Sequence, residues 1–465
     1  MTYLRHLPRF RRAYRAMEAL AARERWPRAD IEAWQLERLN AVWGHAVSHV
    51  PHYRDLAARL ALPPRFQALE EFRSTVPLLP RAALKDQPRR FLSARPAHGG
   101  WHVSSGSTGT PTAFYWGHDA HREALRCRYR MHAAWGVDIF DRTAFLWSDP
   151  AAHVTGWSGP LARVRQSTAD RLRGRLRLPA YRLDPADLRA LLPRLEAFQP
   201  AALYAYTTAA HLLAMEAERS GWRPRALRIS VVSGEPTSRR AIEVIERAFG
   251  GSAVVEYGAT ECPVIAFEAP DRTLRVREDF VLLETLPSSI GRHEVVLTVL
   301  GNPSFPLIRY AIGDVTDMAL AVPAVGFAIL ANVAGRANDA IVARSGRLIH
   351  PARFDFLFGR RLVPLVRRYR IHQVADGAVA VSVEMAGPAP PRDVARLRRE
   401  LADLLEGYPV TVELTSALAQ PGRKHRWTSS DLCSSLDSQR QQGAGPAAPR
   451  SSASRSGSTR PRPSS

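Results

Sequence analysis

The segment VSSGSTGTPTAFYW at residues 103–116 combines hydroxyl side chains with glycines, a composition suited to binding an oxyanion. Glycines let main-chain N–H groups approach a ligand, and hydroxyls add further hydrogen-bond donors. The residues concerned are Ser105, Gly106, Ser107, Thr108 and Gly109. A P-loop would continue with Lys and Ser/Thr, whereas Thr110 and Pro111 follow here. The segment therefore indicates either a phosphate-binding loop of another kind or a Ser/Gly-rich surface turn.

Five further motifs with charged, aromatic or glycine residues follow this loop in the chain. They are GEP at 234–236, YGATE at 257–261, RYAIGD at 309–314, GRANDAI at 335–341 and GRKHR at 422–426. Carboxylates in such motifs bind hard cations and accept hydrogen bonds from hydroxyl groups. Only two lysines, Lys85 and Lys424, occur among the 65 basic residues. Lys424 is therefore a candidate for neutralising negative charge, because a compact ammonium does this differently from a guanidinium.

The elements that must position these motifs are visible from about residue 140 onward, where short apolar runs alternate with helical stretches. The runs are at 143–147, 201–206, 228–234 and 253–258, and the helical stretches are at 184–198, 207–221 and 238–250. This alternation predicts an α/β fold with a mostly parallel sheet and helices on both of its faces. Ligands of such sheets bind beyond the carboxyl ends of the strands. The motifs GEP and YGATE fall at that edge.

The remaining chain divides by composition. Residues 10–62 show helical apolar spacing and predict two or three amphipathic helices, and strand-like runs follow at 293–300 and 306–314. We expect a large N-terminal domain over 1–335, a small α+β domain over 336–427 and a tail over 428–465. The tail is rich in Ser, Gln, Gly, Pro and Arg, which indicates disorder, although out-of-frame translation would change the composition in the same way.

Charge and cysteine content restrict the function classes. The formal net charge is +21, but the arginines are spread through every segment, so the charge is weak evidence for nucleic-acid binding. The three cysteines, Cys127, Cys262 and Cys433, show no C-x-x-C spacing, which fits a reducing compartment and argues against a structural zinc site. No apolar run is long enough for a membrane span, and the N-terminus lacks a secretory signal, so we expect a cytoplasmic protein.

The six motifs, taken in this order, resemble the core motifs of adenylate-forming enzymes. The segments QLERLNAVWGHAVSHVPHYRDL at 35–56 and VPLLPRAALKD at 76–86, with Thr112 where many branches have lysine, are closer to the phenylacetate-CoA ligase-like branch, which includes capsular polysaccharide proteins. The resemblance covers about residues 30–427. It implies an ATP- and Mg²⁺-dependent enzyme that joins a small carboxylic acid to AMP and passes the acyl group to coenzyme A or a carrier protein. It also implies that the small domain, 336–427, is a mobile lid.

The resemblance implies a role for each motif residue. The β- and γ-phosphates of ATP would be held by Ser105, Gly106, Ser107, Thr108 and Gly109, with Thr108 also acting in catalysis. The rest of the nucleotide would be bound by Gly234, Glu235, Pro236, Tyr257, Gly258, Thr260, Asp314 and Arg336, with Tyr257 beside the adenine and Asp314 on the ribose hydroxyls. Glu261 would bind Mg²⁺ and act in catalysis. Lys424 would reach the α-phosphate and the acid, and Asn338 would be the hinge of the lid.

Other interpretations stay open. The acid pocket is expected around Tyr204, Tyr206 and Thr207, whose aromatic rings suit an aromatic or an aliphatic acid. The acceptor could be a hydroxyl of a sugar or cofactor instead of a thiol. A basic protein that binds nucleic acid or a membrane surface, with a vestigial nucleotide site, is the alternative from another class. The sequence identifies neither the acid, nor the acceptor, nor the oligomeric state.

Overall fold

The computed structural model describes most of the chain. The described residues are 8–103, 112–147, 168–180, 183, 185–288, 292–333, 335–336, 341–345, 348–349, 354, 366–385, 390–415, 418 and 428–431. Among them, no helix combines the length and apolar character needed to cross a membrane.

Helices form the N-terminal region, as the apolar spacing predicts. They are α1 (Pro8–Arg23), α2 (Arg28–His49), α3 (Pro51–Leu60), α4 (Leu69–Thr75) and α5 (Arg81–Asp86). In α2 the buried residues Ile31, Gln35, Leu39 and Val42 recur at helical spacing, so one face of the helix packs on the core. A proline occupies the first turn of α3, where its missing N–H costs no intrahelical hydrogen bond.

An eight-stranded sheet forms the centre of the fold. Its strands are β4 (Thr143–Trp147), β5 (Arg175–Pro179), β6 (Ala202–Tyr206), β7 (Ile229–Ser233), β8 (Ser252–Tyr257), β9 (Ala266–Glu268), β10 (Leu274–Val276) and β14 (Ile329–Leu330), in the order β14-β10-β9-β8-β7-β6-β4-β5. The five strands from β8 to β5 pair in parallel, and β9, β10 and β14 add antiparallel pairs. The predicted parallel sheet is confirmed.

Helices cover both faces of this sheet. They are α6 (His118–Ala134), α7 (Pro185–Phe198), α8 (Thr207–Arg219) and α9 (Arg239–Phe249). Leu203 and Ala205 of β6 lie in one core with residues of α7, α8 and α9. Tyr204, between them in the strand, lies in another core with Met131 of α6. Side chains of one strand therefore alternate between two buried faces, which explains why the strands are apolar throughout.

A second sheet and a hairpin are formed by other segments between residues 79 and 336. The sheet has the order β1-β13-β12-β11, with a fifth strand, β15, on β13, and its strands are β1 (Leu79–Pro80), β11 (Val281–Pro287), β12 (His293–Val299), β13 (Tyr310–Thr316) and β15 (Gly335–Arg336). The hairpin consists of β2 (Gly99–Val103) and β3 (Ala113–Gly117), which pair up to Val103 and Ala113. The segment with Ser105–Gly109 follows β2 directly in the chain.

The C-terminal region combines strands and a helix, in agreement with the predicted α+β class. They are β16 (Ile341–Val342), β17 (Leu348–Ile349), β18 (Val366–Gln373), β19 (Val379–Met385), α10 (Pro391–Leu404), β20 (Val410–Thr415) and β21 (Thr428–Ser430), and the four-stranded sheet has the order β20-β19-β18-β21. The prediction placed residues 428–430 in the tail, whereas β21 pairs in parallel with β18 and buries Thr428 and Ser430. Ser430 Oγ donates a hydrogen bond to Gln373 Oε1 at 2.8 Å. This segment is therefore held in the core by a hydrogen bond and not by apolar side chains.

Candidate active site

Several of the predicted site residues meet at one edge of the eight-stranded sheet. Trp147, Tyr206 and Tyr257 end strands β4, β6 and β8, and Gly234 directly follows β7. These four strands are parallel, so their carboxyl ends lie together. The edge is therefore the candidate active site, and Trp147 is a member of it that our sequence analysis did not select.

Gly234 is required by the aromatic residues around it. Its φ angle is +80°, which disfavours any side chain, and a Cβ atom there would lie 3.1 Å from the ring of Tyr206 and 3.2 Å from that of Trp147. The rings of Trp147 and Tyr206 stack at 3.8 Å between centroids with an interplanar angle of 17°. The glycine backbone and the two stacked rings form one compact wall of the site.

The Glu235 carboxylate anchors the loop after β7 to helix α8. Its Oε2 accepts a hydrogen bond from the Thr208 backbone N–H at 2.8 Å, in the first turn of that helix. The hydroxyl groups of Thr207 and Thr237 are hydrogen-bonded at 2.9 Å across the same junction. A carboxylate at this position satisfies a free N–H group and opposes the positive end of the helix dipole. Thr207 and Glu235 thus fix the position of the loop that contains Gly234.

Tyr204, also predicted for the acid pocket, has its hydroxyl group directed into a buried ion pair. The hydroxyl donates to the Glu256 carboxylate, which Arg128 binds with two hydrogen bonds of 2.8 Å. Burial is the main reason why the pKa of Tyr204 lies above its ordinary value. The ring of Tyr204 remains near the site edge, at 5.1 Å from that of Trp147.

The structure brings Tyr257 and Asp314 together although 57 residues separate them. The Tyr257 hydroxyl donates to Asp314 Oδ2 at 2.8 Å, and burial followed by the charge of Asp314 raises the pKa of the tyrosine. Asp314 pairs with Arg336 in the register of β13 and β15, so the backbone of Arg336 is also at this point. Three residues that were predicted to bind the nucleotide are therefore neighbours in the structure.

A tight loop follows β8 and presents Thr260 and Glu261. Ala259 and Cys262 exchange backbone hydrogen bonds of 2.8 and 3.2 Å, and a Cβ at Gly258 would lie 2.2 Å from the carbonyl oxygen of Pro263. Only glycine fits that approach. Trp116 Nε1 donates to the Thr260 carbonyl at 3.1 Å and joins the loop to strand β3.

Glu261 is buried and paired, in contrast to a solvated loop acid. Its side chain is 2% exposed, and its Oε1 accepts hydrogen bonds from Arg81 Nη1 at 2.7 Å and from the Tyr310 hydroxyl at 3.3 Å. Burial opposes the charge of Arg81, but Glu261, Tyr310 and Asp314 together hold its pKa above the ordinary value. Arg81 was not predicted as a site residue, although it lies in the segment VPLLPRAALKD that carried part of the resemblance.

The fit of this site to Mg²⁺ depends on one carboxylate. No group of three or more His, Cys, Asp or Glu side chains within the described ranges could hold a metal ion. Both hydrogen bonds that Glu261 accepts within the described part of the chain are made by Oε1. Mg²⁺ is commonly bound by one or two carboxylates, with phosphates and water as the other ligands. The residues present thus fit a Mg²⁺ ion that arrives with a nucleotide.

Several predicted residues lie outside this description. Ser105, Gly106, Ser107, Thr108, Gly109, Asn338 and Lys424 are outside the described residues, and Arg336 is described through its backbone alone. Their roles stay predictions.

Comparisons with known proteins support the same type of enzyme. Residues 101–293 match the family model described as AMP-binding enzyme. A phenylacetate-coenzyme A ligase of Thermus thermophilus is 23% identical over 398 residues, which cover 78% of this chain and 84% of that protein. The phenylacetate-coenzyme A ligase of Escherichia coli K12 is 26% identical over 353 residues, covering 70% of this chain and 75% of that protein.

A solved structure has the same fold. The crystal structure of 2-hydroxyisobutyryl-CoA ligase in the postadenylation state, in complex with R3-HIB-AMP, matches with a TM-score of 0.69 and 23% identity, over 90% of this chain and 94% of that one. The matches confirm the resemblance to the adenylate-forming superfamily and to its phenylacetate-CoA ligase-like branch. The family match and the phenylacetate-coenzyme A ligase relatives support an enzyme of the AMP-forming acid–thiol ligase type.

Proposed function

We propose that this protein activates a small carboxylic acid with ATP and transfers the acyl group to the thiol of coenzyme A or of a carrier protein. The observation that carries the proposal is the cluster of Tyr257, Asp314 and Glu261 at the carboxyl edge of the sheet. It brings an aromatic ring, a carboxylate for hydroxyl groups and a carboxylate for a cation to the same edge of the sheet. A nucleotide with its metal needs this set of groups.

The reaction has two halves, and the chain has residues for the first. The acid's carboxylate attacks the α-phosphorus of ATP, an acyl-adenylate forms and pyrophosphate leaves. Asp314 would hold the ribose hydroxyls, and Ser105–Gly109 would hold the departing phosphates. Lys424 would neutralise charge at the α-phosphate. Mg²⁺ bound at Glu261 would supply further positive charge to the phosphates.

In the second half the thiol attacks the acyl carbon and AMP leaves. Rotation of the lid about Asn338 would exchange the two arrangements. A structure of 2-hydroxyisobutyryl-CoA ligase in the thioesterification state contains both 2-HIB-AMP and CoA. We propose that coenzyme A is also the acyl acceptor for this protein. The proposed location of the reaction is the cytoplasm.

The acid would bind against the stacked rings of Trp147 and Tyr206, beside Gly234. The rings are planar and partly buried, and they lie at the edge where the acyl-adenylate would form. Planar aromatic surfaces favour an apolar or aromatic acid. Because Trp147 fills space next to Gly234, it would also limit the size of that acid.

The test is acyl-CoA formation from a panel of acids that runs from acetate to phenylacetate and naphthylacetate. We expect a CoA-dependent product with the wild type, and we expect Trp147→Ala to raise kcat/KM for the largest accepted acid relative to the smallest by about tenfold, the scale of pocket contacts. Trp222→Ala is the matched control, since Trp222 packs on Phe249 away from this edge and should leave the ratio unchanged. AMP release that does not depend on CoA would indicate a non-thiol acceptor instead.

A further inference from the structure

Arg81 forms an ion pair with Glu261, the carboxylate that the proposed function assigns to Mg²⁺. It is the first residue of α5 and follows β1, a two-residue strand that pairs with β13 at Tyr310 and Ala311. This pairing brings the Arg81 guanidinium to Glu261, at 2.7 Å, and its Nη1 also lies 3.4 Å from the Ile312 carbonyl oxygen. The arginine therefore contacts a backbone carbonyl as well as the Glu261 carboxylate.

The exposure of the two partners is unequal. The Arg81 side chain is 25% exposed, whereas that of Glu261 is 2% exposed. A buried carboxylate needs a cation or several hydrogen bonds to offset its loss of water, and Arg81 supplies the cation without any metal. The longer and more exposed side chain is the partner that is free to shift when another cation arrives.

We propose that Arg81 and Mg²⁺ compete for the Glu261 carboxylate, so that Arg81 sets the Mg²⁺ concentration at which the enzyme takes up nucleotide. This rests on the proposed function, because it takes Glu261 as the Mg²⁺ ligand. Two cations that share one buried carboxylate repel each other with little screening by salt. Before nucleotide binds, Arg81 pairs with the Glu261 carboxylate and orients it. Once nucleotide binds, the phosphates neutralise both cations.

The experiment measures binding of a fluorescent ATP analogue, with no acid present, while Mg²⁺ is titrated from zero. We expect Arg81→Gln to lower the Mg²⁺ concentration for half-maximal binding by about fivefold to tenfold, the order of effect of one nearby charge. Arg81→Lys keeps the charge and should stay within about twofold of the wild type. If Arg81→Gln does not fold, Arg81→Met, which is also neutral and long, provides the same test.

Two controls identify the cause of a shift. Arg89→Gln removes an exposed positive charge from the same stretch of chain and should leave the Mg²⁺ curve unchanged. Glu261→Gln removes the shared carboxylate, so adding Arg81→Gln to it should have no further effect. A Mg²⁺ requirement that is unchanged or raised in Arg81→Gln overturns the proposal while the proposed function stands. A folded wild type that binds no nucleotide at any Mg²⁺ concentration overturns the proposed function and this proposal with it.

Discussion

Replacing Asp314 with alanine is expected to lower the affinity for ATP by about 100-fold. In the proposed function Asp314 accepts hydrogen bonds from the ribose, and a hydrogen bond to a charged group contributes about 1.5–3 kcal/mol. The loss of two such bonds amounts to about 3 kcal/mol, and each 1.4 kcal/mol is a factor of about ten in affinity. Isothermal titration calorimetry with Mg²⁺ and ATP, without an acid, measures this change.

Two neighbouring substitutions serve as controls for that result. Tyr257→Phe removes the hydroxyl that donates to Asp314 at 2.8 Å but keeps the ring, so we expect a loss of less than about tenfold. Asp317→Ala removes another carboxylate, three residues further on, which is exposed and paired with Arg292, and should not change the affinity. An Asp314→Ala protein that binds ATP as tightly as the wild type would contradict the placement of the ribose.

The largest expected effect on stability comes from Arg128→Met. The Glu256 side chain is 0% exposed, and Arg128 binds its two oxygens at 2.8 Å each. Without the guanidinium the carboxylate remains buried with the Tyr204 hydroxyl as its nearest donor. Breaking a buried ion pair in this way costs about 3–5 kcal/mol. Urea unfolding followed by tryptophan fluorescence measures the change in the free energy of unfolding.

The control for Arg128→Met is a pair of the same chemistry on the surface. Arg247 binds Glu218 across helices α9 and α8, and both side chains are largely in contact with water. Arg247→Met should therefore cost less than about 1 kcal/mol. Replacing both members of the buried pair, as Arg128→Met with Glu256→Leu, should recover part of the loss. Equal costs for Arg128→Met and Arg247→Met would show that the buried pair contributes little.

The parallel sheet could be predicted because its strands carry their own signal. The apolar runs that form β6 and β7 have buried residues on both faces, and helices of recognisable spacing separate the strands. β1 carries no such signal. It has two residues, one of them a proline, and its pairing comes from β13, about 230 residues later. β21, Thr428–Ser430, is polar and depends likewise on β18 for its hydrogen bonds.

In the site, too, residues at strand ends could be predicted from the sequence, whereas contacts between distant segments could not. Tyr257 and Gly234 could be selected because strand ends and glycines are visible in the sequence, and parallel strands place them on one edge. The Arg81 contact with Glu261 spans 180 residues and depends on β1, so motif spacing gave no indication of it. Glu235 was predicted to bind the nucleotide, but the sequence did not indicate that one of its carboxylate oxygens accepts a hydrogen bond from the first turn of α8.

The most direct test of the central claim is Mg²⁺-dependent exchange of pyrophosphate into ATP with pooled carboxylic acids, phenylacetate and benzoate among them. The wild type is compared with Lys424→Ala and with Lys85→Ala, which removes the only other lysine. We predict exchange that requires one acid pool, persists in Lys85→Ala and is lost in Lys424→Ala. A folded wild-type protein that neither catalyses exchange with any pool nor binds ATP would contradict the assignment as an acid-activating ligase.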